Sequence, residues 1–445
     1  MIRSLLILSA VLSATSSALH AQETSSPANP PVPSQTQQSG APLTLAQAEA
    51  IALKNNPQIT IGKLRALVAQ QIVRESRSAL LPNASLSVTA ADSNPGSRLA
   101  AGFLNNPVLF PRAAEGASVN QLITDFGRTT NLLSSSEFQA KAADQNAVAT
   151  RADILLVVDQ AFYNSLDTKA LVTVAEETVS ARQTLVDKVQ ALTNAKLKSE
   201  IDLSFSKVEL ARAKLLVLEA QNNYQTSLAT LSAILGYADQ QNFQLVEDAK
   251  PVTAPATDVA PLIQEALRQR PELKALQFEV ESAQKFGRAE HDLWRPTASA
   301  LGVVGEAPVR DDHISNWYGA VGVNINIPVF NGFLYNARAK AADLQTEVDR
   351  QKLLDARNNV ARDVRNAWQN SQWAFQRLSV TQQLREQASL ALDLAQSRYN
   401  LGLGSIVEFT QAELQKTEAD IEDTDAKYQY SLTQLVLAFT IAVPK

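Results

Sequence analysis

The stretch from Tyr318 to Ile327 alternates with a period of two. Val321, Val323, Ile325 and Ile327 point one way, and Ala320, Gly322, Asn324 and Asn326 the other. This predicts a strand with a β-branched face suited to lipid or a core, and a small, polar face suited to water. Thr297 to Val304 predicts its hairpin partner. Ala84 to Ala90 alternates too, with Ser85, Ser87 and Thr89 against Leu86, Val88 and Ala90, and Ala117 to Ile123 does so less cleanly. Two hairpins are therefore expected. The connection inside the first is long and polar, with Asn94-Pro95-Gly96, Asn105-Asn106-Pro107 and Pro111.

Elsewhere the period is helical. Leu43 to Asn56 predicts a short amphipathic helix, ended by Asn55-Asn56-Pro57. Ile59 to Leu80 predicts another, with Ile61, Leu64, Val68, Ile72 and Leu80 on or near one face, stopped by Leu81-Pro82. Pro261 to about Trp294 predicts their counterpart, punctuated by Arg270-Pro271. A stretch with almost no helix breakers follows each hairpin. Arg128 to Leu235 has no glycine or proline, and Phe333 to Val443 has no proline and only Gly402 and Gly404. Each stretch is rich in good helix formers. Each would be roughly 165 Å long as one helix, so a fold-back is expected. Asn194 to Ser199 supplies it in the first stretch and Tyr399 to Ser405 in the second. Two helices of roughly 50 to 60 residues, about 75 to 90 Å each, would then form a long antiparallel coiled hairpin. Their apolar stripe is mixed with Ala, Ser and Gln. That suits either an ordinary coiled coil or a wall of helices with one side on water.

The two halves also match residue by residue. Asn56-Pro57 reappears as Arg270-Pro271, and Leu81-Pro82 as Arg295-Pro296. Further on, Asp125 meets Asn331, Ala161-Phe162-Tyr163-Asn164 meets Ala367-Trp368-Gln369-Asn370, and Tyr224 meets Tyr430. Constant spacing with one jump describes an internal tandem duplication with one unequal loop. The organisation expected is a signal peptide at 1–21, a disordered Pro/Ser/Gln-rich leader at 22–42, a first repeat at 43–246, a linker at 247–259 and a second repeat at 260–445. The signal peptide rests on Met1-Ile2-Arg3, the apolar run Leu5 to Leu12 and the small residues after it.

Composition narrows the class. No stretch of about 20 apolar residues follows the signal segment, so no transmembrane helix is expected. The chain has no cysteine, which excludes disulfides and thiolate metal sites. A formal charge of −5 lacks the basic face of a nucleic-acid binder. Asp311-Asp312-His313 is too compact for a complete metal site, and no phosphate loop or nucleophile motif is present. No cofactor, metal or enzymatic activity is expected. Asp125 and Arg128 are read as helix-capping or interface residues.

Four strands close no barrel, and an open edge at membrane depth leaves backbone groups unpaired at several kcal/mol each. Two chains would give eight strands and little lumen; three would give twelve and a channel. The expected fold class is a mixed α+β membrane protein. Four transmembrane strands per protomer contribute to a trimeric 12-stranded β-barrel, continuous with a long α-helical coiled-coil barrel. Trp294, Trp317 and Tyr318 are candidate membrane-interface aromatics.

These residues resemble the TolC family of outer-membrane efflux proteins. The resemblance rests on Leu45-Ala46-Gln47-Ala48 leading to Asn55-Asn56-Pro57, and on Leu122-Ile123-Thr124-Asp125-Phe126-Gly127-Arg128. It rests equally on Pro328-Val329-Phe330-Asn331-Gly332, and on Tyr399-Asn400-Leu401-Gly402 followed by Ser405-Ile406-Val407-Glu408. It implies a homotrimer with its barrel in outer-membrane lipid and its helices crossing the periplasm. Such a trimer is the passive exit duct of a tripartite efflux or type I secretion system, with a periplasmic adaptor and an inner-membrane pump as partners. It implies a pore tip at the fold-backs, with Glu408 and Asp202 as acids and Tyr399 as a gate residue. Gln411 stands in place of a second acid and Gly404 in place of a gate arginine. Gly402, beside them, occurs only in the second copy. Lys196 and Lys198 are expected to pair with Asp202 or Glu408. The alternative is a periplasmic coiled-coil adaptor or structural protein without a membrane barrel.

Overall fold

The computed structural model describes residues 42–92, 94, 112–247, 252–308, 313 and 315–442. The expected signal peptide, nearly all of the leader, most of the first inter-strand loop, part of the linker and Asp311-Asp312 lie outside the described residues. The first half runs β1 (Pro42–Leu43), α1 (Leu45–Asn55), α2 (Pro57–Ser78), β2 (Asn83–Ala91), β3 (Arg112–Thr124), α3 (Arg128–Asn194), α4 (Glu200–Ile234) and β4 (Gln244–Leu245). The second runs α5 (Ala260–Gln269), α6 (Pro271–His291), a 3₁₀ turn (Asp292–Trp294), β5 (Thr297–Glu306), β6 (Trp317–Asn326), α7 (Leu334–Asn400) and α8 (Ile406–Thr440). Among the described residues no helix is long and apolar enough to cross a membrane.

The fold-backs lie where the sequence puts them, but the helices they join are unequal. The expectation of 50 to 60 residues each is corrected to 67 for α3 and α7 and 35 for α4 and α8. Uninterrupted helical propensity gives no sign of where a partner changes. Each long helix changes partner part-way: α3 packs on α4 and then on α2 and α6, while α7 packs on α8 and then on α5 and α6. At about 1.5 Å per residue the long helices span roughly 100 Å.

Small residues hold these pairs together at seven-residue spacing. Val360, Ala367, Ala374, Thr381, Ala388 and Ala395 are all buried on α7. Val360 packs against Ala266 and Leu273 of α5 and α6, and the seam below it runs along α8, where Ala412, Ala419 and Ala426 are buried and Ala395 meets Ala412. Ser206, Ala213, Ala220 and Ser227 form the same buried line on α4. A strict seven-residue period keeps one seam facing the partner and winds the pair left-handed. Side chains this short also let the helix axes approach closely. Most of the longer apolar residues of α2 take the opposite side. Ile61, Leu64, Val68 and Ile72 stay exposed, while Ile59, Gly62 and Ala66 are buried.

The largest buried cluster lies where the short elements meet the long ones. Leu45, Ala48 and Ala52 of α1 pack with Val158, Phe162 and Leu166 of α3 and Leu228, Leu231 and Leu235 at the end of α4. The two-residue parallel pair β1–β4 closes this cluster and went unseen in the sequence.

The four long strands form one antiparallel sheet in the order β2-β3-β5-β6. Its faces differ sharply. Leu86, Val88, Val119, Val304, Val321, Val323 and Ile325 are exposed on one face, with Val321 at 91%. Ser85, Ser118, Asn120, Ser299, Asn324 and Asn326 lie on the other, where the Ser85 and Ser118 hydroxyls meet at 2.8 Å.

Each strand-to-helix junction needs two consecutive left-handed residues. Phe126 and Gly127 supply them before α3, and Gly332 and Phe333 before α7, so glycine and phenylalanine exchange places between the halves. Buried Asp125 secures the first junction. Its Oδ2 accepts from the Thr129 amide at 2.7 Å and the Thr129 hydroxyl at 2.5 Å, and its Oδ1 accepts from the Gly127 amide. Capping of this kind is worth about 0.5–2 kcal/mol. Asp125→Ala is therefore expected to destabilise the protein by about 1–2 kcal/mol in denaturant titration. Asp125→Asn, which keeps an acceptor, is expected to lose less.

Candidate functional site

The two fold-backs share one backbone. After α7 the Leu403 amide donates to the Arg398 carbonyl at 2.8 Å and the Gly402 amide to the Tyr399 carbonyl at 3.2 Å, with Gly402 left-handed. After α3 the Leu197 amide donates to the Leu192 carbonyl at 2.8 Å and the Lys196 amide to the Thr193 carbonyl at 2.9 Å, with Lys196 left-handed. Both are paired-bond helix stops of the kind that normally ends on glycine. Gly402 thus has Lys196 as its counterpart, strained by its Cβ, and the two tips differ in strain rather than in shape. Serine then starts each return helix: Ser199 accepts from the Ile201 amide and Ser405 from the Glu408 amide.

Tyr399 is part of the packing at the tip. It is 2% exposed and lies in a cluster with Leu185, Val189, Ile406 and Phe409. Its ring stacks on Phe409 at 5.6 Å, and the Lys198 ammonium sits 4.0 Å from the ring centroid. Its hydroxyl is buried without a hydrogen-bond partner. Burial, followed by the nearby charge of Asp202, raises its pKa.

The lysine pairing expected for Glu408 is corrected. Arg398 Nε lies 3.0 Å from Glu408 Oε1, so the arginine one turn before the stop takes the acid on the first turn of α8. Gly404 makes room for this: a Cβ there would press on Glu408 Oε2 at 3.1 Å and on the Arg398 Cβ at 3.2 Å. Lys198 reaches the Tyr399 ring instead, and Lys196 is exposed. Gln411 is exposed on α8, and Asp202 is partly exposed in the first turn of α4.

One ionic cluster was not read from the sequence. Arg182 of α3 is 4% exposed, and its Nη1 lies 2.6 Å from Glu413 of α8 and 3.7 Å from Glu209 of α4. Arg212 holds the other side of Glu209 at 2.9 Å. This cluster ties three helices from both halves just above the tip. Burial pushes Glu413 up to about 7, with Arg182 pulling down and Glu209 pushing up.

The three aromatics at strand ends separate. Trp317 shares a face with Val321 and Val323, whereas Tyr318 shares the polar face with Asn324 and Asn326. Strand alternation thus sets these two candidate interface aromatics on opposite faces of the sheet. Trp294 sits at the other end of the sheet, edge-on to Tyr335 at 5.4 Å, with its indole donating to Asn336. Among the described residues no group of His, Cys, Asp and Glu is placed to hold a metal ion.

A family model described as "Outer membrane efflux protein" matches residues 50–237 and 262–442. Outer membrane protein TolC of Escherichia coli (strain K12) is 23% identical over 415 residues, covering 88% of this chain and 82% of that protein. The cobalt-zinc-cadmium resistance protein CzcC of Cupriavidus metallidurans is 23% identical over 332 residues, covering 74% of this chain and 73% of that protein. Among solved structures, CusC superposes with a TM-score of 0.78 at 17% identity, covering 89% of this chain and 91% of that one. The outer membrane protein VceC of Vibrio cholerae gives 0.74 at 18% identity, covering 89% and 95%.

Two outcomes are expected at the tip. Lys196→Gly should stabilise the protein by about 1 kcal/mol, and Gly402→Ala should destabilise it by a similar amount, in matched denaturant titrations. Arg182→Ala should cost about 3 kcal/mol or more at pH 8, because it strands the buried Glu413 carboxylate and takes one of its two arginines from Glu209. Glu413 has a raised folded-state pKa. Its contribution is therefore fully present below its unfolded value and is lost as pH rises through about 7. The penalty of Arg182→Ala should accordingly shrink at pH 5, and a penalty independent of pH would contradict this account.

Proposed function

The chain belongs to the outer membrane efflux protein family and is an outer-membrane channel of an efflux or secretion system, and we propose that three copies build that channel as one continuous passive duct. The observation that carries this reading is the open sheet. β2 and β6, of nine and ten residues, are edge strands with no neighbour on their outer sides among the described residues. In lipid their free backbone groups would cost several kcal/mol each. Joining β6 of one protomer to β2 of the next, three times, satisfies every edge and gives twelve strands. The exposed Ile61, Leu64, Val68 and Ile72 of α2, with Leu344, Val348 and Leu354 of α7, supply apolar area for the same contacts in the helical barrel. The equal helix lengths of the two halves support a tandem duplication, with repeats at 43–246 and 260–445. The apolar sheet face meets lipid, and the polar face lines the lumen. The fold-backs, at the far end from the sheet, form the tip that meets a periplasmic adaptor and an inner-membrane pump.

Charge at this tip rests on Asp202 more than on Glu408. Glu408 is offset by Arg398, so three copies of that pair add little net field. Asp202 acts on Tyr399, and among the described residues no cation forms an ion pair with it, so three copies would bias the pore toward cations. In planar bilayers the detergent-purified trimer is expected to prefer cations. Asp202→Asn should reduce that preference more than Glu408→Gln. A monomeric particle would sink the assembly, and unchanged selectivity in Asp202→Asn would sink the charge assignment.

A further inference from the structure

Two glycines face each other in the middle strands of the sheet, at a level where the other residues carry side chains. Ser87, Gly116, Gly305 and Tyr318 occupy one rung across β2, β3, β5 and β6, all on the polar face. A Cβ on Gly116 or Gly305 would collide with the Tyr318 hydroxyl. The tyrosine ring therefore lies flat across β5 and reaches β3. It buries Gly305, although the sheet around it is largely open. Tyr318 itself remains 45% exposed, so one side of its ring is sealed by backbone and the other is free. The rung lies next to the 307–316 connection, at the end of the sheet away from the helices.

We propose that Tyr318 is a specificity-determining residue of the conduit: a fixed stacking surface at the outer mouth of the lumen that retains flat aromatic solutes, above all cationic ones, as they leave. The inference rests on the barrel reading above, in which the polar face lines the lumen. A ring pinned flat on two glycines is pre-ordered, so stacking on it costs no further side-chain freedom. Its open face carries the negative side of the aromatic quadrupole, which attracts ring edges and cations. In a trimer three such rings stand at one level. The neighbouring residues of the rung, Ser87 and the two glycines, do not screen them. Trp317, one residue away, has the opposite address and meets lipid headgroups.

Two measurements test this. The first is block of single-channel current by ethidium, a flat aromatic cation, added at the outer side, with tetrapropylammonium as the non-aromatic control. Ethidium block should weaken about two- to tenfold in Tyr318→Ala, as expected for loss of one aromatic contact. It should be kept in Tyr318→Phe and in Trp317→Ala, and tetrapropylammonium block should not change. The second uses the absence of cysteine from the chain. A cationic methanethiosulfonate reagent forms a mixed disulfide with an accessible thiolate and releases a sulfinate. It should lower conductance in Tyr318→Cys and leave Trp317→Cys unaltered. Unchanged ethidium block in Tyr318→Ala, or equal effects at both positions, would overturn the role of the tyrosine in a channel that still conducts. A Tyr318→Ala protein that fails to assemble leaves Tyr318→Cys and Tyr318→Phe to decide. A wild-type protein that conducts nothing would overturn the barrel reading and this inference with it.

Discussion

A helix of 67 residues stays with its neighbours only if the same face returns turn after turn. The seven-residue line of Val360, Ala367, Ala374, Thr381, Ala388 and Ala395 provides this, and most other features follow from it. Because the seam residues are small, the helices pack closely and leave little apolar surface inside each pair. Larger apolar side chains are displaced outward, as Leu64 and Val68 on α2 illustrate. The protomer thus uses its small residues for itself and offers its large ones to neighbours. The sheet repeats this division, with one aliphatic face and one polar face.

The tip shows how near-identical backbones can carry different chemistry. Both stops form the same pair of hydrogen bonds, yet one holds a strained lysine and the other a glycine. The charges differ as well. Glu408 is clasped by Arg398, whereas Asp202 lies beside a buried tyrosine. Arg182, Glu209 and Glu413 then bind the two halves just above these turns. A buried arrangement of this sort contributes more to register than to stability, since desolvation consumes much of the Coulomb gain. At this height a slip of either half would separate Arg182 from Glu413.

Much of this was legible in the sequence because it is local. Strand alternation placed all four long strands to within a few residues, the scarcity of glycine and proline marked the long helices, Gly402 and Gly404 placed the second turn, and the repeat spacing placed the first. Prolines 57 and 271 each open a helix at its first position, where the missing amide costs nothing. What escaped was non-local. Arg182 and Glu413 lie far apart in the chain, and each reads as an ordinary solvated helix charge. The β1–β4 pair is two residues long, too short to carry a period. The unequal helix lengths escaped because a change of partner leaves no mark on propensity. Tyr318 was within reach. The alternation that sets Val321 against Ala320 and Gly322 already places it on the small, polar side.

The matched lengths of α3 and α7, and of α4 and α8, restrict how such a chain can change size. Removing one residue from α3 would rotate everything beyond it by about 100° and carry the small seam off its partner. Removing seven would restore the seam but leave that hairpin short of the other. A duct of different length therefore requires four coordinated edits, each a multiple of seven. The reach of this protein across its compartment is set in discrete steps, like links in a chain.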